Sequence, residues 1–165
     1  MDYEVFIKEA PREHLASVRG VYLIAKLPEV MPREFGRIMA ALKAEGVQPA
    51  GGALAIYHSW SEETVDVEIG FTIKGVFFPQ DVRSGAELHA EGGVRAGMVP
   101  GGKVVFTRHV GRYDEIAAAY EAIQSYAKAK GLGLADIMWE KYLTSMEDEP
   151  DLGRHVTEVY WPLAG

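Results

Sequence analysis

Two glutamates near the end of the chain stand among aromatic side chains and could anchor a ligand or transfer a proton. Glu158 lies in the run HVTEVYWPL, and Glu140 lies in the run WEKYL. If the run around Glu158 is a strand, alternate side chains share a face, so that Glu158 stands beside Tyr160 and Val156. A carboxylate in such company is costly to bury unless something pairs with it. Two kinds of chemistry fit: binding of an organic cation through an ion pair and cation–π contacts, or acid–base catalysis by a carboxyl whose pKa burial has raised.

Further side chains are candidates for the same site. Glu140 and Tyr113 are the candidate catalytic partners of Glu158 if the protein is a hydrolase, although Glu140 could equally be an exposed charge beside a buried tryptophan. Glu68 holds the position in the first half that matches Glu158, but its neighbour Asp66 favours an ordinary solvated strand face. The aromatic candidates could instead belong to the core. The candidate ligand contacts are Glu158, Tyr160, Trp139, Tyr142, Tyr113, Tyr57, Trp60 and Glu68.

Composition excludes several classes of function. The chain has 165 residues, a formal net charge of −7 and no cysteine. Nucleic-acid affinity depends on clustered lysine and arginine, so direct nucleic-acid binding is not expected. The missing cysteines exclude disulfides, thiolate nucleophiles and zinc sites built on cysteine. There is no signal-peptide pattern and no long apolar run, so we expect a cytoplasmic protein without membrane segments.

No motif for a metal or a cofactor is present. The histidines occur singly without the spacing of metal ligands, and no cofactor is expected. The glycine-rich segment Gly92–Gly102 lacks the order of glycines found in phosphate-binding loops. We interpret this segment as a loop, although the overlapping run AELHAEGGVRAGMV could add strands.

Two amphipathic helices must position the candidate residues. The first is predicted over Pro32–Gly46 and the second over Tyr113–Gly131. Each has apolar residues at helical spacing and a glycine as its stop signal. The predicted buried stripes are Phe35, Ile38, Met39 and Leu42 in the first helix, and Ile116, Tyr120, Ile123 and Ala127 in the second.

The order of elements repeats along the chain. A strand precedes each helix, and two strands joined by a polar turn follow it. The fold class predicted is α+β, a tandem pseudo-twofold pair of β-α-β-β units with antiparallel sheets and a ligand cleft between the units. The repeats cover about residues 1–74 and 94–165 of a single domain 1–165, and residues 75–93 form the linker. In the closing strand of the first repeat, Val67, Ile69 and Phe71 should face the helix, and Glu68 should point away from it.

Three motifs in order, HVGRYDEI, WEKYL and TEVYWPL, resemble the GyrI-like small-molecule-binding family. This is the effector-binding domain also found in AraC-type and multidrug-responsive MerR-type regulators. The resemblance covers essentially the whole chain and implies a paired β-α-β-β fold with an aromatic pocket and a buried glutamate for cationic, lipophilic ligands. It assigns the strand glutamate to Glu158 and the WExY element to Trp139, Glu140 and Tyr142. The family's Gly-Pro-Tyr is replaced here by Gly-Arg-Tyr, which retains Tyr113 and places a cation near the cleft.

The resemblance implies three alternative functions. We expect no DNA-binding helix pair before the domain, and therefore a stand-alone protein that senses or sequesters hydrophobic, cationic or aromatic compounds. The second alternative is a small hydrolase that opens strained or electrophilic toxic natural products. The third is a modulator that interacts with gyrase. The expected partner is a hydrophobic or cationic small molecule, a protein partner is an alternative, and the sequence does not determine the oligomeric state.

Overall fold

The computed structural model describes residues 3–75, 93–144 and 149–164. The fold is α+β, as predicted, with antiparallel strands and helices in two compact units. We call Arg12–Pro100 the N-terminal unit, and Met1–Pro11 with Gly101–Gly165 the C-terminal unit. The predicted linker falls almost entirely on residues 76–92, which lie outside the described residues. The predicted cleft and repeat boundaries stay predictions.

The N-terminal unit has one helix on an antiparallel sheet. Its described strands are ordered β3-β4-β2-β5, and helix α1 packs on β4 and β2. The elements are β2 (Glu13–Leu23), a 3-10 turn (Ile24–Lys26), α1 (Leu27–Ala44), β3 (Pro49–Trp60), β4 (Thr64–Ile73) and β5 (Arg95–Val99).

The C-terminal unit also has one helix on an antiparallel sheet. Its described strands are ordered β1-β6-β8-β7, and helix α2 packs on β6 and β8. Each unit takes its edge strand from outside the predicted repeat, because β1 pairs with β6 and β5 pairs with β2. The elements are β1 (Phe6–Ala10), β6 (Gly102–Val110), a 3-10 turn (Tyr113–Glu115), α2 (Ala117–Ala129), β7 (Met138–Tyr142), a 3-10 turn (Leu152–Arg154) and β8 (Val156–Pro162).

The alternation predicted for β4 is confirmed. The ring of Phe71 lies edge-on to Phe35 of α1, with centroids 5.5 Å apart, so the odd-numbered apolar residues of β4 face the helix. Both helices also stop where predicted, because Gly46 and Gly131 each adopt a φ of 69°, a conformation that glycine reaches without steric cost.

The start of α1 was predicted wrongly. The helix begins at Leu27 and Pro32 lies inside it, because Pro28 already occupies the first turn, where a missing N–H costs nothing. Its buried residues are Val30, Glu34, Ile38 and Leu42, and Met39 of the predicted stripe is exposed. Neither described helix has the length and apolar character needed to span a bilayer.

Part of the glycine-rich segment interpreted as a loop forms a strand, which is the alternative that the overlapping run AELHAEGGVRAGMV left open. Residues Arg95–Val99 form strand β5, with Gly97 opposite Leu15 of β2. A Cβ at position 97 would lie 2.6 Å from Oε2 of Glu68, so a larger residue here would displace that carboxylate. Gly101 and Gly102, with φ of 70° and 97°, then turn the chain into β6.

Candidate functional site

Strand β7 places Glu140 on the side of its sheet that faces helix α2. Glu140 lies opposite Val159 of β8, and Tyr142 lies opposite Thr157, so that these residues share one face. Tyr120 of α2 reaches the same carboxylate. Tyr113 approaches from the 3-10 turn that precedes α2. We call Glu140, Tyr113, Tyr120 and Tyr142 the glutamate–tyrosine cluster.

Three tyrosine hydroxyls donate to one carboxylate in this cluster. Oε1 of Glu140 accepts from Tyr113 at 2.6 Å and from Tyr142 at 2.9 Å, and Oε2 accepts from Tyr120. The rings of Tyr113 and Tyr142 meet edge to face, with centroids 5.6 Å apart. Glu140 is completely buried, whereas Tyr113 is 40% exposed, so the cluster extends from the interior of the unit to its surface.

The electrostatics of the cluster are those of a desolvated acid. Burial raises the pKa of Glu140 above its usual range, although hydrogen bonds from the tyrosines and the nearby His109 act in the opposite direction. None of the ion pairs formed by the described lysines and arginines involves Glu140. The carboxyl is therefore suited to pairing with a cation or to exchanging a proton.

Sequence reasoning named three members of the cluster and missed Tyr120. That tyrosine was assigned to the apolar stripe of α2, and its ring does lie on the inner side of the helix. Its hydroxyl could have indicated a role in the cluster, because a buried tyrosine O–H needs a hydrogen-bond partner. The predicted ligand contacts Tyr113 and Tyr142 and the predicted catalytic residue Glu140 are thus brought together.

The opposite face of the same sheet carries Glu158. Its neighbours are Tyr160 and Trp139, whose rings stack at 5.6 Å with an interplanar angle of 10°. Oε2 of Glu158 accepts from Arg108 at 2.8 Å, and Oε1 accepts from the Tyr160 hydroxyl at 2.8 Å. Burial raises the pKa of Glu158, but the bonds from Arg108 and Tyr160 outweigh it, and the pKa lies below its usual range. Glu158 therefore already has a cation.

Lysines also approach the aromatic rings of this face. Nζ of Lys8 lies 4.4 Å from the ring centroid of Phe106 and 5.3 Å from that of Tyr160. Nζ of Lys141 lies 5.4 Å from the Tyr160 centroid. The cation–π positions predicted for a ligand on Tyr160 are thus occupied by side chains of the protein itself.

The remaining predicted contacts, Glu68, Tyr57 and Trp60, belong to the N-terminal unit. The expectation that Glu68 is solvated was wrong, because it is only 5% exposed. Oε2 accepts from the Ser17 hydroxyl at 2.5 Å, and Oε1 accepts from Nε2 of His58 at 2.9 Å. Burial raises the pKa of Glu68, but these bonds and the charge of Arg95 outweigh it and lower the pKa.

The aromatic candidates of the N-terminal unit differ in exposure. Tyr57 is buried and lies opposite Val67, and Trp60 is exposed and lies opposite Val65. In the parts of the chain that the structure describes, no three histidine, aspartate or glutamate side chains are grouped to hold a metal ion.

Comparison with known proteins identifies the family. The model of the GyrI-like small molecule binding domain matches residues 3–164. The chain belongs to the GyrI-like family. A search of curated protein sequences found no match.

Solved structures show the same fold. The EcmrR C-terminal domain aligns with a TM-score of 0.81 and 21% identity over 99% of both chains. In the EcmrR–DNA complex the TM-score is 0.79 at 21% identity, and the match covers 98% of this chain but 57% of EcmrR. The protein SAV2435, bound to tetraphenylphosphonium, aligns with a TM-score of 0.59 and 12% identity over 100% of this chain and 95% of that one. A hydrolase from Listeria innocua aligns with a TM-score of 0.61 and 14% identity over 98% and 92% of the two chains.

Proposed function

We propose that this GyrI-like domain binds hydrophobic organic cations and that the glutamate–tyrosine cluster supplies the acidic anchor. The observation that carries the proposal is a completely buried carboxylate surrounded by three tyrosine hydroxyls. Its pKa is raised by burial, and the ion pairs of the described lysines and arginines leave it out. A bound cation would supply the opposite charge.

The aromatic members of the cluster suit such a ligand. A cation over a tyrosine ring gains about 0.5 to 2 kcal/mol, depending on how far the contact is removed from water. Tyr113 is partly exposed, so its ring can contact a ligand at the surface of the unit while its hydroxyl holds Glu140. Binding would favour the ionised carboxylate and lower the pKa of Glu140.

A structural relative supports the class of ligand. SAV2435 is seen bound to tetraphenylphosphonium, a cation that carries four phenyl rings. Glu158 suits this role less well, because Arg108 already pairs with it at 2.8 Å. A contribution to ligand contact from Trp139, Tyr160, Tyr57, Trp60 and Glu68 stays a prediction, as does the alternative of a gyrase modulator.

Calorimetry with two probes of equal shape and opposite charge tests the proposal. Tetraphenylphosphonium should bind the wild-type protein, and tetraphenylborate should bind at least about tenfold more weakly, because only the cation pairs with a carboxylate. Glu140→Gln should abolish this preference for the cation. Glu158→Gln is the matched control and should retain it. Equal affinity for the two probes, or loss of the preference in Glu158→Gln alone, would contradict the proposal.

The same cluster supports hydrolysis as a second candidate function. A carboxyl with a raised pKa beside a tyrosine hydroxyl at 2.6 Å is suited to general acid catalysis. In ring opening of an electrophilic cyclopropane, Glu140 would protonate the ring carbon next to the ketone as the bond from that carbon to its ring neighbour breaks. Water would add to the other carbon of the broken bond and return a proton to the carboxylate. Incubation with a cyclopropane conjugated to a ketone, followed by mass spectrometry for the addition of one water, tests this function. Product formed equally by Glu140→Gln would refute it.

A further inference from the structure

His109 lies next to the glutamate–tyrosine cluster and uses both ring nitrogens. It is 1% exposed on β6, opposite Thr157 of β8. Nε2 lies 2.8 Å from the backbone carbonyl of Arg112, and Nδ1 lies 2.7 Å from the hydroxyl of Tyr3. A carbonyl only accepts hydrogen bonds, so Nε2 must carry a hydrogen and donate it.

We propose that His109 is a positioning residue for the cluster: by holding the Arg112 carbonyl, it fixes the turn that aims the Tyr113 hydroxyl at Glu140. The inference deepens the proposed function, on which its importance for binding rests. Tyr113 directly follows Arg112 and begins the 3-10 turn ahead of α2. His109 thus contacts Arg112, the residue directly before Tyr113, and the Tyr113 hydroxyl donates to Glu140 at 2.6 Å.

Two backbone hydrogen bonds also act on this turn. Gly111 has a φ of 142°, in the region that favours glycine, and its N–H donates to the carbonyl of His155 at 2.8 Å. The Arg112 carbonyl also accepts from the N–H of Glu115 at 3.1 Å. The Arg112 carbonyl therefore accepts one hydrogen bond from the N–H of Glu115 in the turn and a second from His109 on β6. Losing the second contact would leave the turn with more freedom to move Tyr113.

Tyr3 sets the tautomer that this contact requires. A neutral imidazole carries one hydrogen, and donation from the Tyr3 hydroxyl to Nδ1 favours the form with the hydrogen on Nε2. The Tyr3 ring also stacks on His109, with centroids 5.9 Å apart and an interplanar angle of 24°. Tyr3 thus acts on Tyr113 through His109.

The experiment measures the titration of the Glu140 carboxyl by NMR and needs no ligand. His109→Gln keeps a donor near the Nε2 position, and His109→Phe removes it, while both variants remove any charge at residue 109. Without the donor, Tyr113 should hold Glu140 less well. The pKa of Glu140 in His109→Phe should therefore lie about 0.5 to 1 above that in His109→Gln.

The Tyr113→Phe background separates positioning from a general structural role. There the difference between the two His109 variants should disappear, since the hydroxyl through which His109 acts is absent. A difference that persists in that background, or equal pKa values for Glu140 in the two single variants, would overturn the inference. If His109→Phe does not fold, Tyr3→Phe replaces it: it should shift the Glu140 pKa in the same direction, and no shift would likewise overturn the inference. Failure of cation binding would leave these outcomes unaffected.

Discussion

Glu140 and Glu68 are both buried carboxylates, yet their pKa values move in opposite directions. Burial is the largest influence on each and raises both pKa values. Glu140 is completely buried, and the hydrogen bonds from its three tyrosines do not offset that burial, so its pKa rises. Glu68 keeps 5% exposure, and the bonds from His58 and Ser17 together with the charge of Arg95 outweigh its burial, so its pKa falls. The comparison teaches that the direction of a buried acid's pKa depends on whether its hydrogen bonds and nearby charges outweigh the cost of burial.

A β-bulge produces the partner of Glu68. The register of β3 against β4 shifts between Tyr57, which lies opposite Val67, and Ser59, which lies opposite Asp66. His58 is the extra residue, and its ring turns toward Glu68 at 2.9 Å. Bulges often re-aim a single side chain in this way. In the described part of β7 and β8 the pairing around Glu140 is regular.

Removing the structural acid should have the largest effect on stability. Glu68→Ala leaves the buried Ser17 hydroxyl and the His58 N–H without their acceptor, so we expect a loss of about 3 kcal/mol in the free energy of unfolding in urea at pH 7. Asp66→Ala, on the same face but in a more exposed pair with Arg19, should lose less than about 1 kcal/mol. Equal losses in the two variants would break the contrast.

The same pair of variants predicts a pH dependence. The folded-state pKa of Glu68 is lowered, so its contribution to stability is present above the unfolded pKa of about 4.3 and is lost as the pH falls through the folded value. The difference in unfolding free energy between wild type and Glu68→Ala should therefore become smaller as the pH is lowered.

Gly97→Ala tests how closely the Glu68 carboxylate fits its surroundings. The added Cβ would lie 2.6 Å from Oε2, an oxygen that the Ser17 hydroxyl holds in place. We expect a loss of about 1 to 2 kcal/mol in the wild-type background, as is usual for overpacking. In the Glu68→Ala background the same substitution should cost much less, because the clashing oxygen is gone. A double-mutant cycle in urea measures the difference, and additive losses would refute this explanation of the glycine.

Glu140→Gln should remove a pH dependence of the opposite sign. The folded-state pKa of Glu140 is raised, so the protonated form stabilises the fold below about pH 4.3, and this stability is lost as the pH rises through the folded value. Between about pH 4.3 and the folded-state pKa, the unfolding free energy of the wild type should fall relative to that of Glu140→Gln by up to about 1.4 kcal/mol per pH unit. Unfolding in urea between pH 4 and 8 gives the difference curve. A curve that is flat, or that rises with pH, would show that the two acids do not differ as described.

Local patterns in the sequence predicted much of the fold. The glycines that end both helices and the alternation along β4 depend on neighbouring residues, and both were predicted correctly. The start of α1 was not, because Pro28 and Pro32 each suit a first helical turn and the sequence does not say which one occupies it. The segment that contains β5 was interpreted as a loop, with strands as an open alternative. The packing of Gly97 depends on the side chain of Glu68, which is distant in the sequence.

The candidate site was predicted in part. Glu140, Tyr113 and Tyr142 were named because aromatic residues surround an acid in the sequence. His58 was dismissed as an isolated histidine, because neither the bulge that turns it nor its distance from Glu68 can be seen in a sequence. Tyr120 was assigned to the core, because helical spacing predicts which way its ring faces but does not show that its hydroxyl binds Glu140.

Arg108→Gln gives the smallest expected effect and extends the comparison to the third acid. Arg108 lies opposite Glu158 in the strand register just as Arg19 lies opposite Glu68, but Arg19 donates to Asp66 instead. The Arg108 side chain is 55% exposed, so solvent screening should limit the loss in unfolding free energy to less than about 1 kcal/mol. The pKa of Glu158 should nevertheless rise, because the main interaction that lowers it is removed. Carboxyl NMR titration should show this rise in Arg108→Gln and little change at Glu68 in Arg19→Gln, since Ser17 and His58 remain. A comparable rise at Glu68 would mean that its pKa is set by the facing arginine and not by the bulged histidine.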